Sequence, residues 1–200
     1  MINTHIGECA IHLERGRDIV FRPTFLRVAQ LGSPKEILDI FTRAQIADDE
    51  GFQCAYRALC AFADDQDIDD AIGYFYPAYR DGRIKIKYKE GLCPKEDLHV
   101  IGCRLLVDAI IGRPSEKDKR KAKRERPADD FDPAEYVAIG DAHLGGRDWW
   151  NATMIQLQKA LKALNPDKED EDDGLMTKEE QQDLFETIDR IKREKAAKNV

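Results

Sequence analysis

The sequence predicts a mainly α-helical protein with a small N-terminal β-hairpin and one further short strand, an α+β class. Helix-capping residues precede stretches with apolar residues at helical spacing, and one stretch alternates in the manner of a strand. The 200 residues are 42% hydrophobic, which suffices for a buried core, and 36% charged. Because long segments near the C terminus are almost purely polar, we expect the folded part to be shorter than the chain.

The first predicted element is the β-hairpin. Two short runs with partial alternation, Cys9–Leu13 and Ile19–Phe21, flank a turn that contains Gly16. Two extended runs around a glycine turn are typical of a hairpin. His5 and His12 lie in or beside these strands, and we interpret them as surface or packing residues.

Helices are expected in most of the remainder of residues 1–112. Ser33 can cap a helix that begins at Pro34, and Glu36 completes a capping box. Three more helices are predicted, over Phe52–Phe62, Ile68–Phe75 and Pro94–Gly112. The last one has apolar residues on several sides, which predicts a central core helix.

The further strand is the stretch Arg83–Lys89, in which basic and apolar residues alternate. This pattern turns Ile84, Ile86 and Tyr88 to one face and the four basic side chains to the other. One interpretation is a basic surface for phosphates or an acidic partner. The other, which we favour, is an edge strand that lysines protect from aggregation.

Composition divides the rest of the chain into four segments. Residues 113–130 form a basic linker, because Arg113–Arg126 holds eight Lys or Arg residues against three acidic ones and no large apolar residue. The other three segments are a helical hairpin at 131–164, an acidic linker at 165–176 and an amphipathic terminal helix at 177–200.

The helical hairpin begins with Asp132 and Pro133, a pair typical of a helix cap and first turn. Its first helix is expected to run to His143 and to end at the glycine pair that follows. Asp148 is expected to cap the second, longer helix.

The second helix of this hairpin carries the candidate partner-binding residues. Its apolar stripe consists of Trp150, Met154, Leu157, Leu161 and Leu164. Trp149 falls beside that stripe. Large aromatic residues of this kind either pack in the core or anchor another protein, and both interpretations remain open. The candidate partner-binding residues are Trp149, Trp150, Met154 and Leu157, with Leu184 and Ile188 of the terminal helix.

The acidic stretch Glu169–Glu180 resembles a twelve-residue calcium loop. Gly174 stands at the turn position, but the first and third positions carry Glu, whereas the EF-hand pattern has Asp first and Asp or Asn third. An alternative explanation is structural, because Thr177 can cap the terminal helix and Glu180 can complete its capping box. We therefore assign no metal site to this stretch.

Two other clusters could suggest metal ligands. Five aspartates lie within Asp64–Asp70, and we interpret them as helix caps and linker residues. Cys93, His99 and Cys103 could meet at a zinc ion, but no cysteine of this chain belongs to a C-x-x-C pair. We expect reduced, mostly buried thiols, no metal, no cofactor and no catalytic residue.

Charge and motifs argue against several functional classes. The net charge of −7 disfavours a protein that coats nucleic acid, so nucleic acid is not expected as the main partner. We find no signal-like N terminus and no apolar run near the roughly 20 residues that span a bilayer, which predicts a soluble intracellular protein. G-x-S-x-G, H-E-x-x-H, P-loop and dinucleotide patterns are absent from the sequence, so we expect no enzyme.

Two blocks of the sequence carry a family resemblance. They read GECAIHLERGRDIVFRPTFLRVAQLGSPKEILDIF and IGDAHLGGRDWWNATMIQLQKALKAL, and Arg22–Phe25 is the most specific part of the first. Over Gly7–Leu164 the chain resembles a poorly characterised family of tailed-bacteriophage proteins that are encoded among tail morphogenesis genes.

The resemblance implies a non-enzymatic tail assembly protein or assembly chaperone that acts by protein–protein binding. The implied partner is a phage tail protein, such as the tape measure or the tube subunit, and the implied location is the host cytoplasm or the virion tail. The alternative functions are a nucleic-acid-binding protein and a calcium-responsive regulatory protein.

Overall fold

The structure is a computed structural model that describes residues 4–13, 16–65, 67–80, 83–113 and 131–164. Within it, Met1–Lys162 fall in one compact unit. Most of the predicted basic linker, the acidic linker and the terminal helix lie outside the described residues. The same is true of the Glu169–Glu180 stretch and of the candidate residues Leu184 and Ile188.

The described elements confirm the mainly helical α+β class. In chain order they are β1 (Cys9–His12), β2 (Asp18–Phe21), α1 (Phe25–Ala29), α2 (Pro34–Ala44), α3 (Asp49–Phe62), α4 (Asp69–Ile72), β3 (Tyr74–Arg80), β4 (Arg83–Lys89), α5 (Lys95–Ile110), α6 (Pro133–Leu144) and α7 (Met154–Leu164). Short 3₁₀ turns cover Thr4–Ile6 and Trp149–Asn151. None of the helices in these ranges is long and apolar enough to cross a membrane.

The strands form two antiparallel pairs. β1 pairs with β2 as predicted, and β4 pairs with β3, which the sequence did not predict. The predicted helix Ile68–Phe75 is wrong beyond Ile72, where α4 ends. Gly73 then takes a φ of 73°, a left-handed conformation that glycine allows, and the aromatic residues after it favour a strand.

The core lies where α3 crosses α5. Gly102 of α5 permits this contact, because a Cβ there would lie 2.7 Å from the carbonyl oxygen of Ala55. Helix α2 joins them at its C-terminal end: His99 Nε2 and Cys103 Sγ of α5 lie 2.8 and 2.9 Å from the carbonyl oxygen of Ala44. The α5 prediction is thereby confirmed as a central helix.

The cap of α2 is also confirmed. The Ser33 hydroxyl accepts from the backbone N–H of Glu36, and the Glu36 carboxylate accepts from the backbone N–H of Ser33 at 2.8 Å. Helix α3 begins earlier than the sequence predicts, because Asp48 caps it by accepting from Gly51 N–H at 2.7 Å. The backbone and hydroxyl hydrogen bonds from Ser33 lower the pKa of Glu36, as the Gly51 N–H lowers that of Asp48.

Residues 131–164 form two helices, but the second begins later than predicted. Helix α6 is capped by Asp132, which accepts from Ala134 N–H at 2.9 Å. Asp148 does not cap α7, and its carboxylate accepts from the Asn151 side chain instead. The cap is Thr153, whose hydroxyl accepts from Gln156 N–H at 3.3 Å while the Gln156 side chain accepts from Thr153 N–H at 3.0 Å.

The two helices of 131–164 share one core with the N-terminal part of the chain. Phe25 of α1 stacks on Tyr136 of α6, with ring centroids 6.0 Å apart. Phe25 N–H also donates to the carbonyl of Ala152 at 3.0 Å. The buried cluster extends from β1 to α7, so the segment packs as part of the main fold.

Candidate functional site

The candidate tryptophans have different environments. Trp149 is only 3% exposed and Trp150 is 38% exposed. Trp149 packs on α6 at Gly140, where a Cβ would lie 2.6 Å from the indole Cδ2. Met154 and Leu157 are also buried. Only Trp150 among these four residues presents substantial surface to another molecule, and burial of the other three is the core-packing alternative considered above.

A cluster of exposed apolar residues lies elsewhere, on the β3–β4 pair, which we call the hairpin arm (residues 74–89). Cross-strand partners of an antiparallel pair point to the same side, and consecutive residues point to opposite sides. The register therefore sorts the arm into two faces. We define the apolar face as Phe75, Pro77, Tyr79, Ile84, Ile86 and Tyr88, and the basic face as Tyr74, Tyr76, Arg83, Lys85, Lys87 and Lys89.

The apolar face is covered at one end and open at the other. Phe75 and Tyr88 are partly buried against the core. Further along the arm, Tyr79 is 79% exposed, Ile84 60% and Ile86 62%. These three side chains form a contiguous apolar patch that the described part of the chain leaves open.

The basic face combines cations with aromatic rings. Tyr74 lies opposite Lys89 and Tyr76 opposite Lys87. The Lys89 ammonium lies 5.3 Å from the centroid of the Tyr74 ring, a cation–π contact. No described carboxylate pairs with Arg83, Lys85 or Lys87, and all three residues are exposed within the described part of the chain.

The base of the arm is fixed to α3 by an aromatic cluster. Phe52 packs edge-on to Tyr88 at 4.8 Å between centroids, and Tyr56 packs edge-on to Phe75 at 4.9 Å. Two phenols also bond to the α4–β3 junction. The Tyr88 hydroxyl donates to the carbonyl of Ile72 at 2.5 Å. The Tyr56 hydroxyl donates to the carbonyl of Gly73 at 2.9 Å. The arm is therefore held rigidly at its base.

Burial changes the pKa of both tyrosine hydroxyl groups at the base of the hairpin arm. It raises the pKa of Tyr88 to about 12 and raises the pKa of Tyr56 further. The cause is desolvation, which disfavours the charged phenolate. Both hydroxyl groups thus remain hydrogen-bond donors across the physiological pH range.

The sequence contained a signal for the arm. The runs YFYPAYR and RIKIKYK are separated by Asp-Gly, which is a strong hairpin signal between two extended runs. The prediction of a helix over Ile68–Phe75 conflicts with this signal, and it leaves Arg83–Lys89 as a single strand without a partner. Without β3, the tyrosines of the basic face could not be placed.

The block Arg22–Phe25, which carries the family resemblance, has a structural role. Arg22 pairs with Glu8 at 2.7 Å and with Asp64 at the end of α3. Thr24 caps α1 and forms a β-bridge with Thr153. The block joins β2, α3 and the segment before α7, so its residues serve the fold and supply no reactive group.

The aspartates of Asp64–Asp70 and the set Cys93, His99 and Cys103 were the other candidate clusters, and several of their side chains contact other residues of the fold. Asp64 pairs with Arg27 at 2.8 Å and Asp65 with Arg17 at 2.6 Å, so these two aspartates form ion pairs as well as lying in a linker. Within the described ranges, no three His, Cys, Asp or Glu side chains are placed to hold a metal ion. Burial raises the pKa of the Cys103 thiol, which lowers its thiolate fraction and its reactivity.

A groove of about 490 Å³ lies between β1 and α5 and contains the buried Asp108. Its carboxylate oxygens lie 3.3 Å from Arg104 Nη2 and 3.3 Å from Arg113 Nη2. The three charged groups compensate one another, as a buried carboxylate requires. Of the two carboxylate oxygens, Oδ2 accepts a hydrogen bond from Arg113, whereas Oδ1 has no hydrogen-bond partner among the described residues.

Residues 43–183 match the family described as "Family of unknown function (DUF6246)". This match covers more than half of the chain. The chain belongs to this family. The matched range includes the hairpin arm and Trp150 but begins after Arg22–Phe25. No curated protein and no solved structure matches the chain.

Proposed function

We propose that the protein is a non-enzymatic tail assembly protein or assembly chaperone of a tailed bacteriophage. It binds a tail protein, the tape measure or the tube subunit, through the open part of the apolar face of the hairpin arm. Trp150 is a second contact site. The resemblance over Gly7–Leu164 supports the phage assignment, and the arm supports binding as the activity.

The exposure of Tyr79, Ile84 and Ile86 carries this proposal. Contiguous exposed apolar surface on a soluble protein marks a site of interaction, because its contact with water is unfavourable. The anchored base reduces the entropy that the arm loses on binding. A partner segment with apolar side chains at alternate positions would complement such a strand pair.

The titratable groups favour binding over catalysis. The His99 ring bonds to the backbone carbonyl of Ala44 within the core. Burial raises the pKa of the Cys9, Cys54 and Cys93 thiols. Thiols with a raised pKa are mostly protonated at neutral pH and are therefore poor nucleophiles.

The first experiment measures binding of the purified tape measure and tube subunit proteins of the encoding phage. The Ile84→Thr/Ile86→Thr variant removes apolar surface while it keeps β-branched side chains in the strand. We expect it to weaken binding at least tenfold, since central apolar contacts carry most of an interface's energy. Lys85→Gln/Lys87→Gln, on the opposite face of the same strand, is the matched control and should bind as wild type.

Capture from phage-infected cells and analysis of purified virions complete the test. A protein that retains these tail proteins but is absent from virions acts as an assembly chaperone, and presence in both identifies a structural component. If neither tail protein binds, or if a folded isoleucine variant binds as tightly as wild type, the proposal is wrong. Trp150→Ala, which leaves the buried Trp149 in place, measures the contribution of the second contact site.

A further inference from the structure

The basic face of the hairpin arm carries a second inference. We propose that it binds single-stranded nucleic acid, with the cations on phosphates and the tyrosine rings on bases. This activity is independent of the proposed protein partner, which contacts the opposite face.

The cations have a spacing that suits an extended polyanion. Arg83, Lys85 and Lys87 occupy alternate positions of β4, so they project from one face at intervals of about 6.6 Å. This interval is comparable to the distance between successive phosphates of an extended single strand. No described carboxylate pairs with these three side chains, so a nucleic acid would not have to displace any partner that the described residues supply.

The tyrosines of the basic face argue against the simpler interpretation, in which lysines only protect an edge strand from aggregation. The register places Tyr76 directly across from Lys87 and Tyr74 across from Lys89, so rings and cations share one face. Tyr74 is 37% and Tyr76 38% exposed. A basic track with aromatic rings beside it is the arrangement that single-strand-binding proteins use, since any base can stack on a ring.

Stacking requires unpaired bases, which favours a single strand over a duplex. An acidic peptide would use the cations but would gain nothing comparable from the rings. The net charge of −7 repels a polyanion at long range. Binding is therefore local to the arm, modest in affinity and strongly dependent on salt.

The test measures fluorescence anisotropy of labelled oligo(dT) with the full-length protein at several salt concentrations. Three phosphate contacts predict a slope of log K against log salt of about −2, because each contact on a single strand contributes about −0.7. Lys85→Gln/Lys87→Gln should reduce the magnitude of that slope by about 1.4. Ile84→Thr/Ile86→Thr, on the opposite face, and Lys35→Gln, on α2, are controls that should keep the wild-type slope.

A second variant tests the rings. Tyr76→Leu keeps an apolar residue in the strand but removes the stacking surface, and we expect it to weaken oligo(dT) binding at least fivefold, the lower limit of one lost stack. Binding of inorganic polyphosphate, which has charge and no bases, should not change. Circular dichroism and urea unfolding verify that each variant is folded.

The basic linker provides the main competing explanation, because Lys117–Arg126 could bind phosphates without the arm. A variant with Lys117, Lys119, Lys121 and Lys123 replaced by Gln should still bind oligo(dT) and should still respond to Lys85→Gln/Lys87→Gln. Binding that depends on the linker alone would overturn the proposal. So would equal affinity for poly-glutamate, tighter binding of duplex DNA, or a wild-type slope in the arm variant. None of these outcomes bears on binding of a tail protein by the apolar face.

Discussion

The hydroxyl group of Thr153 connects distant parts of the fold. It donates to the carbonyl of Ile6 at 2.7 Å and accepts from Gln156 N–H at the start of α7. Thr153 is 2% exposed and its backbone bridges to Thr24. A buried side chain that satisfies both a carbonyl and an orphan helix amide is costly to replace, since both partners lose their hydrogen bond away from water.

The first prediction therefore concerns Thr153→Val, which keeps the shape of the side chain and removes the hydroxyl. We expect a loss of about 1–3 kcal/mol in the free energy of unfolding, because the Ile6 carbonyl is left unsatisfied and α7 loses its cap. Urea denaturation measures it. Thr153→Ser, which keeps the hydroxyl, is the control and should retain most of the stability. Equal losses in Val and Ser variants would mean that the methyl group, not the hydrogen bonds, matters.

The second prediction follows from Tyr88 at the base of the arm. Its pKa is raised from about 10 in the unfolded chain to about 12 in the fold. The folded state thus favours the neutral phenol. The stability that this group contributes is complete below pH 10 and is lost as the pH rises through about 12, because the unfolded chain releases the proton first.

Urea midpoints between pH 8 and 11.5 test this linkage in wild type and Tyr88→Phe. The Phe variant should be less stable at pH 8, since it lacks the hydrogen bond to Ile72, and should lose less stability than wild type as the pH rises. Tyr79→Phe, at an exposed position, should follow the wild-type curve. A Tyr88→Phe variant that declines as steeply as wild type would contradict the assignment.

At the scale of elements, the sequence predicts the caps of α2 and α6, whereas it misses the caps of α3 and α7 and the pairing of β3 with β4. Ser33 and Glu36 define α2 through contacts within four residues, so the sequence sufficed. The start of α7 was misplaced although Thr153 and Gln156 form the same signal, because the tryptophan stripe appeared to extend the helix. Whether a tryptophan is buried depends on its packing partner, here Gly140, and nothing adjacent in sequence identifies that partner.

The contact between α6 and Trp149 gives the third prediction. Gly140→Ala should destabilise the protein by about 1–3 kcal/mol, since a methyl group there overlaps the indole ring and the core must shift. The cost of this overlap outweighs the gain of about 1 kcal/mol that alanine brings over glycine in helix propensity. In a Trp150→Phe background, the emission of Trp149 should shift to the red as the ring moves towards water.

A reciprocal substitution on the exposed side of the same helix is the control. Ala138→Gly should cost only the helix propensity, about 1 kcal/mol, and should leave the Trp149 emission unchanged. If Gly140→Ala is stabilising, the indole has room to move and the close α6–Trp149 contact is not a constraint on the fold.

At the scale of the whole molecule, one shared core supports an arm that contributes little to it. Buried residues extend from Ile11 of β1 to Leu157 of α7, whereas none of the described residues covers either face of the outer half of the arm. The sequence predicted the mainly helical core and the two faces of β4, but it assigned the binding role to tryptophans. The arm depends on the pairing of β3 with β4, a contact that local periodicity does not encode.

This division predicts that the outer arm can be removed without unfolding the protein. Tyr76 and Lys87 are Cα partners, so replacing Pro77–Ile86 by Asn-Gly closes the strands with a two-residue turn. Because the excised side chains are largely exposed, the free energy of unfolding should change by less than about 1 kcal/mol. Binding of the tail protein should be lost, because Tyr79, Ile84 and Ile86 are removed. Binding of oligo(dT) should be weakened, because the excision removes Arg83 and Lys85 but leaves the Tyr76–Lys87 and Tyr74–Lys89 pairs.

Phe52→Ala is the contrasting variant, since Phe52 is 1% exposed beneath the base of the arm. The Phe52→Ala substitution should lower the free energy of unfolding by about 3–5 kcal/mol. Urea denaturation of both variants, with binding measured on the shortened protein, decides between two roles for the arm. A loss of several kcal/mol on excision would show that the arm stabilises the fold, and its exposed isoleucines would then need no partner to explain them. A stable shortened protein that no longer binds would show that the sequence maintains the arm for recognition, since its removal costs the fold nothing.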